Sequence, residues 1–122
     1  EYSLWLEKKP GQAYLSVPRY EASALSVLVN GVYVGQLGIG EGNVLEITAH
    51  VKSGNNTILL ELSCSLKNLL GPHHTAQPVR GSAWPAAWRQ APVYGQPSAQ
   101  NYDVLPYGVL QTPMVLLSDY PV

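Results

Sequence analysis

Apolar residues recur along this chain at every second position rather than at helical spacing. The alternation is clearest on either side of Asn30-Gly31. Ala24-Leu25-Ser26-Val27-Leu28-Val29 precedes that dipeptide and Val32-Tyr33-Val34-Gly35-Gln36-Leu37 follows it. Asn-Gly suits a type I′ turn, which needs positive φ at both central positions, so the spacing predicts a two-residue hairpin. Such a turn sets the register. Val29 is expected opposite Val32 and Val27 opposite Val34, with Leu25 on the same apolar face and Ser26, Leu28 and Tyr33 on the other.

The remaining pattern supplies further short strands. Tyr2 to Glu7 alternates weakly, with Tyr2, Leu4 and Leu6 on one face and Trp5 on the other, and Lys8-Lys9-Pro10-Gly11 ends it as a turn. Ala13 to Val17 is a second strand closed by Pro18, and the polar Arg19-Tyr20-Glu21 leads into the hairpin. Gly38, Gly40 and Gly42 mark a loop. A phosphate-cradling loop needs a helix after it, whereas strand-like Val44-Leu45-Glu46-Ile47 follows here. Beyond the turn Lys52-Ser53-Gly54-Asn55, Ile58, Leu60, Leu62, Cys64 and Leu66 alternate with Leu59, Glu61, Ser63 and Ser65. This predicts a strand with one buried face, on which Cys64 is a packed, inert thiol. Tyr102-Asp103-Val104-Leu105 and the run from Val109 to Leu117 return to strand, with Pro113 placing the last one at an edge or a bulge. Ser65–Leu70 and Trp84–Arg89 are each long enough for a helical turn, and no long helix is predicted. Seven or eight short strands, each with one apolar face, need a second sheet to cover them. The expected fold is an all-β, antiparallel two-sheet β-sandwich, specifically a jelly roll.

Length and composition narrow the picture. A chain of 122 residues accommodates a single core, so residues 1–122 are expected to form one β-sandwich module, with a long irregular loop at about 71–101. A hydrophobic fraction of 46% with 12% charged residues describes a globular chain. The seven Lys/Arg and eight Asp/Glu are scattered, which argues against nucleic acid or acidic membrane as partners. No apolar run approaches the roughly 20 residues that cross a bilayer. Glu1-Tyr2-Ser3-Leu4-Trp5 lacks the basic start and apolar middle of a signal peptide and enters a strand pattern at once, so the chain is expected to be part of a longer protein. The lone Cys64 forbids an internal disulfide. Asn55-Asn56-Thr57 has the form of a glycosylation acceptor, but Gly54-Asn55 is better explained as turn chemistry.

Candidate chemistry concentrates in 71–101, which holds Pro72, Pro78, Pro85, Pro92 and Pro97 and no sustained periodicity. Structureless stretches of such length are uncommon inside compact domains and are usually functional or disordered; the aromatic content argues against disorder. Sugar rings present flat C–H faces that stack on Trp and Tyr, and their hydroxyls need donors and acceptors together. Trp84, Trp88, Tyr94, His73, His74, Arg80, Arg89 and Gln90 supply that mixture and are the candidate ligand-binding residues. The alternative is that these aromatics simply pin the loop to the sandwich. His73-His74 makes a poor metal site, because adjacent positions rarely aim both rings at one ion and no Cys or carboxylate stands at ligand spacing. No catalytic residue and no cofactor is expected. Glycoside hydrolysis needs two carboxyl groups across the scissile bond, yet Glu46 and Glu61 fall on outward strand faces. Asp103 is the best candidate for a buried acid. Ser82, His73 and Asp103 form a triad only on paper, since no Gly-x-Ser-x-Gly turn is present.

The ordered set Ala24-Leu25-Ser26-Val27-Leu28-Val29-Asn30-Gly31, Tyr33-Val34-Gly35, Leu45-Glu46-Ile47-Thr48 and Gly54-Asn55-Asn56-Thr57-Ile58 resembles the galactose-binding-like jelly-roll domains that accompany bacterial glycoside hydrolases. The sugar-binding domain of glycoside hydrolase family 2 is one of them. The resemblance covers about 24–66. The stretch Ser65–His74, with Asp103 and Pro106-Tyr107-Gly108 downstream, is similar to a narrower group of terminal modules in large multidomain glycoside hydrolases. The chain is short for such a domain and begins close to its first expected strand, so one strand is expected to lie on the parent protein. The resemblance implies a non-catalytic carbohydrate-binding module, secreted or periplasmic as part of a larger bacterial protein. Its expected partners are plant polysaccharide or oligosaccharide and the catalytic domain of the parent enzyme. The alternative is a structural domain that packs on that catalytic domain without binding glycan, and a small hydrolase in its own right is a third possibility. Calcium is common in such modules, and Glu41 in the glycine loop is the one candidate ligand.

Overall fold

The computed structural model describes residues 1–38, 42–70 and 104–119. The chain divides into two compact units, residues 1–64 with 107–122 and residues 65–106. The first unit holds the strands β1 (Tyr2–Leu6), β2 (Gln12–Ser16), β3 (Tyr20–Glu21), β4 (Ala24–Val29), β5 (Val32–Leu37), β6 (Val44–Glu46), β7 (Gly54–Ser63), β8 (Gly108–Val109) and β9 (Met114–Ser118). They form a four-stranded sheet in the order β1-β7-β4-β5, a three-stranded sheet β6-β2-β9 and a two-stranded ribbon β3-β8. Every pairing is antiparallel. The fold is thus the expected all-β sandwich, and the chain crosses repeatedly from one main sheet to the other.

The core lies between those sheets. Ala13, Leu15 and Val17 from the β2 segment join Leu25, Val27 and Val29 of β4 and Ile58 and Leu60 of β7 in one buried cluster. Burial alternates with period two along β2 and β4, as the pleat requires. Ile47, just past β6, extends the cluster. The Thr48 hydroxyl accepts from the Ala13 amide at 2.9 Å, so a side chain continues the β2–β6 pairing where the strand stops.

The hairpin turn has the conformation that Asn-Gly predicts, with φ of 52° at Asn30 and 81° at Gly31. Val29 pairs with Val32 and Leu28 with Tyr33, as expected, but Val27 pairs with Gly35 rather than Val34. The register shifts at a bulge between Val27 and Leu28, which leaves Val34 as the extra residue. The shift has a physical reason: a straight ladder would set Gln36 opposite Leu25, whereas the bulge brings Leu37 there, and Leu37 is fully buried. Val34 packs against the core, and a Cβ at Gly35 would stand 3.1 Å from Leu45 Cδ1, so glycine makes room for the neighbouring side chain. Val32, on the edge strand, is 52% exposed, so the expected apolar face stops short of the turn.

Asn30 does more than turn the chain. Its Nδ2 donates to the His50 carbonyl and to Asn56 Oδ1, both at 2.9 Å, and its Oδ1 accepts from the Thr57 amide at 3.1 Å. Asn56 is fully buried on the inward face of β7. Its Oδ1 also accepts from the Lys52 amide at 2.9 Å, while its Nδ2 donates to the carbonyls of Lys52 at 2.8 Å and Gly54 at 3.1 Å. Two asparagines thus tie the hairpin tip to the 50–54 turn.

Two expectations fail at strand ends. Cys64 is exposed, not packed. The β4–β7 ladder ends at Ala24 and Ser63, so the sequence alternation runs on past the last pair and no sheet covers it. An aromatic disulfide reagent is accordingly expected to titrate one thiol per chain without denaturant; absence of colour until the chain is unfolded would count against this exposure. Val104 and Leu105 are irregular rather than strand. Pro113 does precede an edge strand, since β9 closes one side of the three-stranded sheet.

Candidate functional site

The residues singled out for sugar contact, Trp84, Trp88, Tyr94, His73, His74, Arg80, Arg89 and Gln90, lie outside the described residues, as do Asp103, Ser82 and Glu41. The base of the stretch that carries most of them is described. Within the 65–106 unit, α1 (Lys67–Leu70) forms one turn, with the Leu70 amide donating to the Leu66 carbonyl at 2.8 Å. Asn68 on that turn donates through Nδ2 to the Leu105 carbonyl at 2.7 Å and accepts at Oδ1 from the Leu105 amide at 2.8 Å. This reciprocal pair copies the two-bond pattern of an antiparallel bridge and joins Asn68 to Leu105. Asn68 went unnoticed in the sequence, where it stands among leucines with no turn signal beside it.

On the sandwich, the outer faces are the surfaces open to a partner. On the three-stranded sheet the register places Val44, Ser16 and Met114 in one row and Glu46, Tyr14 and Leu116 in the next. Ala13, Leu15 and Val17 point inward, so these even-numbered neighbours on β2 point out. Val44, Met114 and Leu116 are each about half exposed, at 48%, 48% and 50%. Four of these six outward positions are therefore apolar, on a face where a solvated sheet would carry polar side chains. On the four-stranded sheet, Tyr33 stands opposite Leu28, and Trp5 stands opposite Asn55 with 70% of its surface exposed. Tyr33 lies on β5 and Trp5 on β1, the two edges of that sheet. Three inter-strand steps of about 4.8 Å separate them, too far for one sugar ring to stack on both.

Glu46 and Glu61 do not form a catalytic pair. Glu46 is exposed on the outer face of one sheet and Glu61 on the outer face of the other, with the core between them. Their separation exceeds the roughly 10 Å between packed sheets, wider than the spacings that glycoside hydrolysis uses. Asp119 is engaged with Lys8 at 3.2 Å in an exposed pair. No group of three or more His, Cys, Asp or Glu able to hold a metal occurs among the described residues.

No protein-family model and no curated protein sequence matches the chain. Among solved structures, the fold is similar to part of a rhamnosidase from Novosphingobium sp. PP1Y, with a TM-score of 0.61 and 21% identity. The likeness is of fold. It covers 93% of this chain and 10% of that one, so this chain spans about a tenth of the rhamnosidase. Both the sandwich and its length therefore recur as a small part of a much larger polypeptide.

Proposed function

We propose that this chain is a non-catalytic accessory domain of a bacterial glycoside hydrolase and that it binds polysaccharide or oligosaccharide through the aromatics of 71–101, with Trp84 and Trp88 the main stacking surfaces. The observation that carries the proposal is the match of nearly the whole chain to one tenth of a rhamnosidase, which agrees with the resemblance of 24–66 to the jelly-roll domains of glycoside hydrolases. The separation of Glu46 from Glu61 supports an accessory role over a catalytic one. The parent enzyme would be secreted or periplasmic, where plant polysaccharide is met.

Affinity electrophoresis in gels containing neutral plant polysaccharides, with a glycan array beside it, tests the binding. The intact chain is expected to be retarded. Trp84→Ala and Trp88→Ala are each expected to remove most of the retardation while the far-ultraviolet circular dichroism stays unchanged, because stacking on one aromatic is worth about 1 kcal/mol or more. Migration identical in every gel, with no array signal, would reject glycan binding. A second possibility, a structural domain packed on its catalytic neighbour, is favoured by half-exposed Val44, Met114 and Leu116 on the outer face of the three-stranded sheet. It requires that the chain bind no glycan and that a charge placed at Leu116 disrupt its association with that neighbour.

A further inference from the structure

A sheet edge exposes unpaired main-chain groups, and soluble proteins guard such edges with charge, proline, bulges or brevity. The two main sheets have four edges, β1, β5, β6 and β9. Three of them are guarded. β5 bears the bulge, β6 is three residues long and carries Glu46, and β9 follows directly on Pro113. β1 has none of these devices: Tyr2-Ser3-Leu4-Trp5-Leu6 has no charge within it and no adjoining proline, its flanking charges being Glu1 and Glu7, and all five residues pair with β7 in unbroken register. Among the described residues its other side has no strand. Beside it an open cleft of about 230 Å³ is lined by Tyr2 and Leu4 of β1, Leu15 of β2, Ile58 of β7 and Val115 of β9. Leu15 and Ile58 form its floor and are buried, whereas Tyr2 at its mouth is 39% exposed.

Charge decides between occupants. A second copy of β1, paired antiparallel about Leu4, would set Glu1 of each chain opposite Glu7 of the other, like charges at both ends of the ladder. Lys8 is already paired with Asp119 at 3.2 Å. A strand with basic ends would face Glu1 and Glu7 favourably. We propose that the free edge of β1 is a strand-addition site for an extended segment from elsewhere, with apolar residues at alternate positions and a Lys or Arg at each end. Main-chain bonds to β1 hold the segment, the cleft accepts one of its apolar side chains, and the two glutamates select its ends. This site is independent of glycan binding by 71–101, and either can fail without the other.

The test uses the whole chain, acetylated at its amino terminus, and two blocked heptapeptides, Lys-Val-Thr-Val-Thr-Val-Lys and Glu-Val-Thr-Val-Thr-Val-Glu. Hydrogen exchange and isothermal titration calorimetry are the readouts. The basic peptide is expected to bind saturably and to slow exchange of the Tyr2–Leu6 amides. The acidic one should bind about tenfold more weakly, since two opposite-charge contacts become like-charge ones. Tyr2→Lys, which places an inward charge at the cleft mouth as natural edges do, should abolish binding with the fold retained. Unchanged exchange of Tyr2–Leu6 at peptide saturation would overturn the proposal, as would equal affinity for the two peptides. Dimerisation of the chain through β1 in the absence of peptide would overturn it too.

Discussion

Replacing Asn56 by alanine is expected to lower the unfolding free energy by about 3 kcal/mol. The side chain is fully buried and its amide meets four partners: the Lys52 amide, the carbonyls of Lys52 and Gly54, and the Asn30 amide. Alanine removes all four contacts at once and leaves part-buried main-chain groups of the 52–54 turn, and the Asn30 amide, without these partners. Each stranded buried group costs roughly 1–3 kcal/mol, and partial relaxation of the turn recovers some of the sum. Asn56→Asp is expected to do no better, because it keeps the acceptor, loses both donors and buries a charge. Urea unfolding checks this through a lower midpoint at constant slope. A shift equivalent to less than about 1 kcal/mol would mean that the turn re-pairs its groups and that the asparagine is replaceable.

The Asn56 network also marks where the sequence is legible and where it is not. Asn30-Gly31 announces its turn because few dipeptides tolerate two positive φ values in succession, and the strands around it follow from alternation. The bulge at Val34 is invisible to that alternation, since Val32, Val34 and Leu37 are all apolar. Only the phase betrays it, with Leu37 odd and the valines even. Asn56 shares the even positions of Ile58 and Leu60 and is the polar member of an inward face, a sign that it is held by partners rather than solvated. Cys64 misleads for the opposite reason: sequence periodicity persists beyond Ser63, while burial depends on a partner strand that begins only at Ala24. The proposed glycan site is legible only as composition. Stacking surfaces need no fixed spacing, so no periodic or motif signal ranks Trp84 against Trp88 or either against the histidines.

Leu25→Ala is expected to cost about 3 kcal/mol, by lost transfer energy and by a cavity between two sheets that cannot close on it. Leu25 is fully buried, and its cross-strand neighbours are Leu37, brought into place by the bulge, and Leu62 of β7. Leu116→Ala removes the same atoms from a half-exposed outward position and should shift stability by no more than about 0.5 kcal/mol. That contrast assigns the leucines to the core or to a surface. Combining Leu25→Ala with Asn56→Ala probes the cooperativity of the sandwich. Leu62, the β7 partner of Leu25, lies six residues along the strand from Asn56, roughly 20 Å away, so the two sites share no neighbour and their costs should add to within about 0.5 kcal/mol. The sum, about 6 kcal/mol, reaches the range of a whole domain's stability, and the double variant is expected to be largely unfolded at 25 °C unless the parent is unusually stable. A combined loss far below the sum would show that the two ends of β7 unfold separately, and that the buried cluster is two cooperative units rather than one.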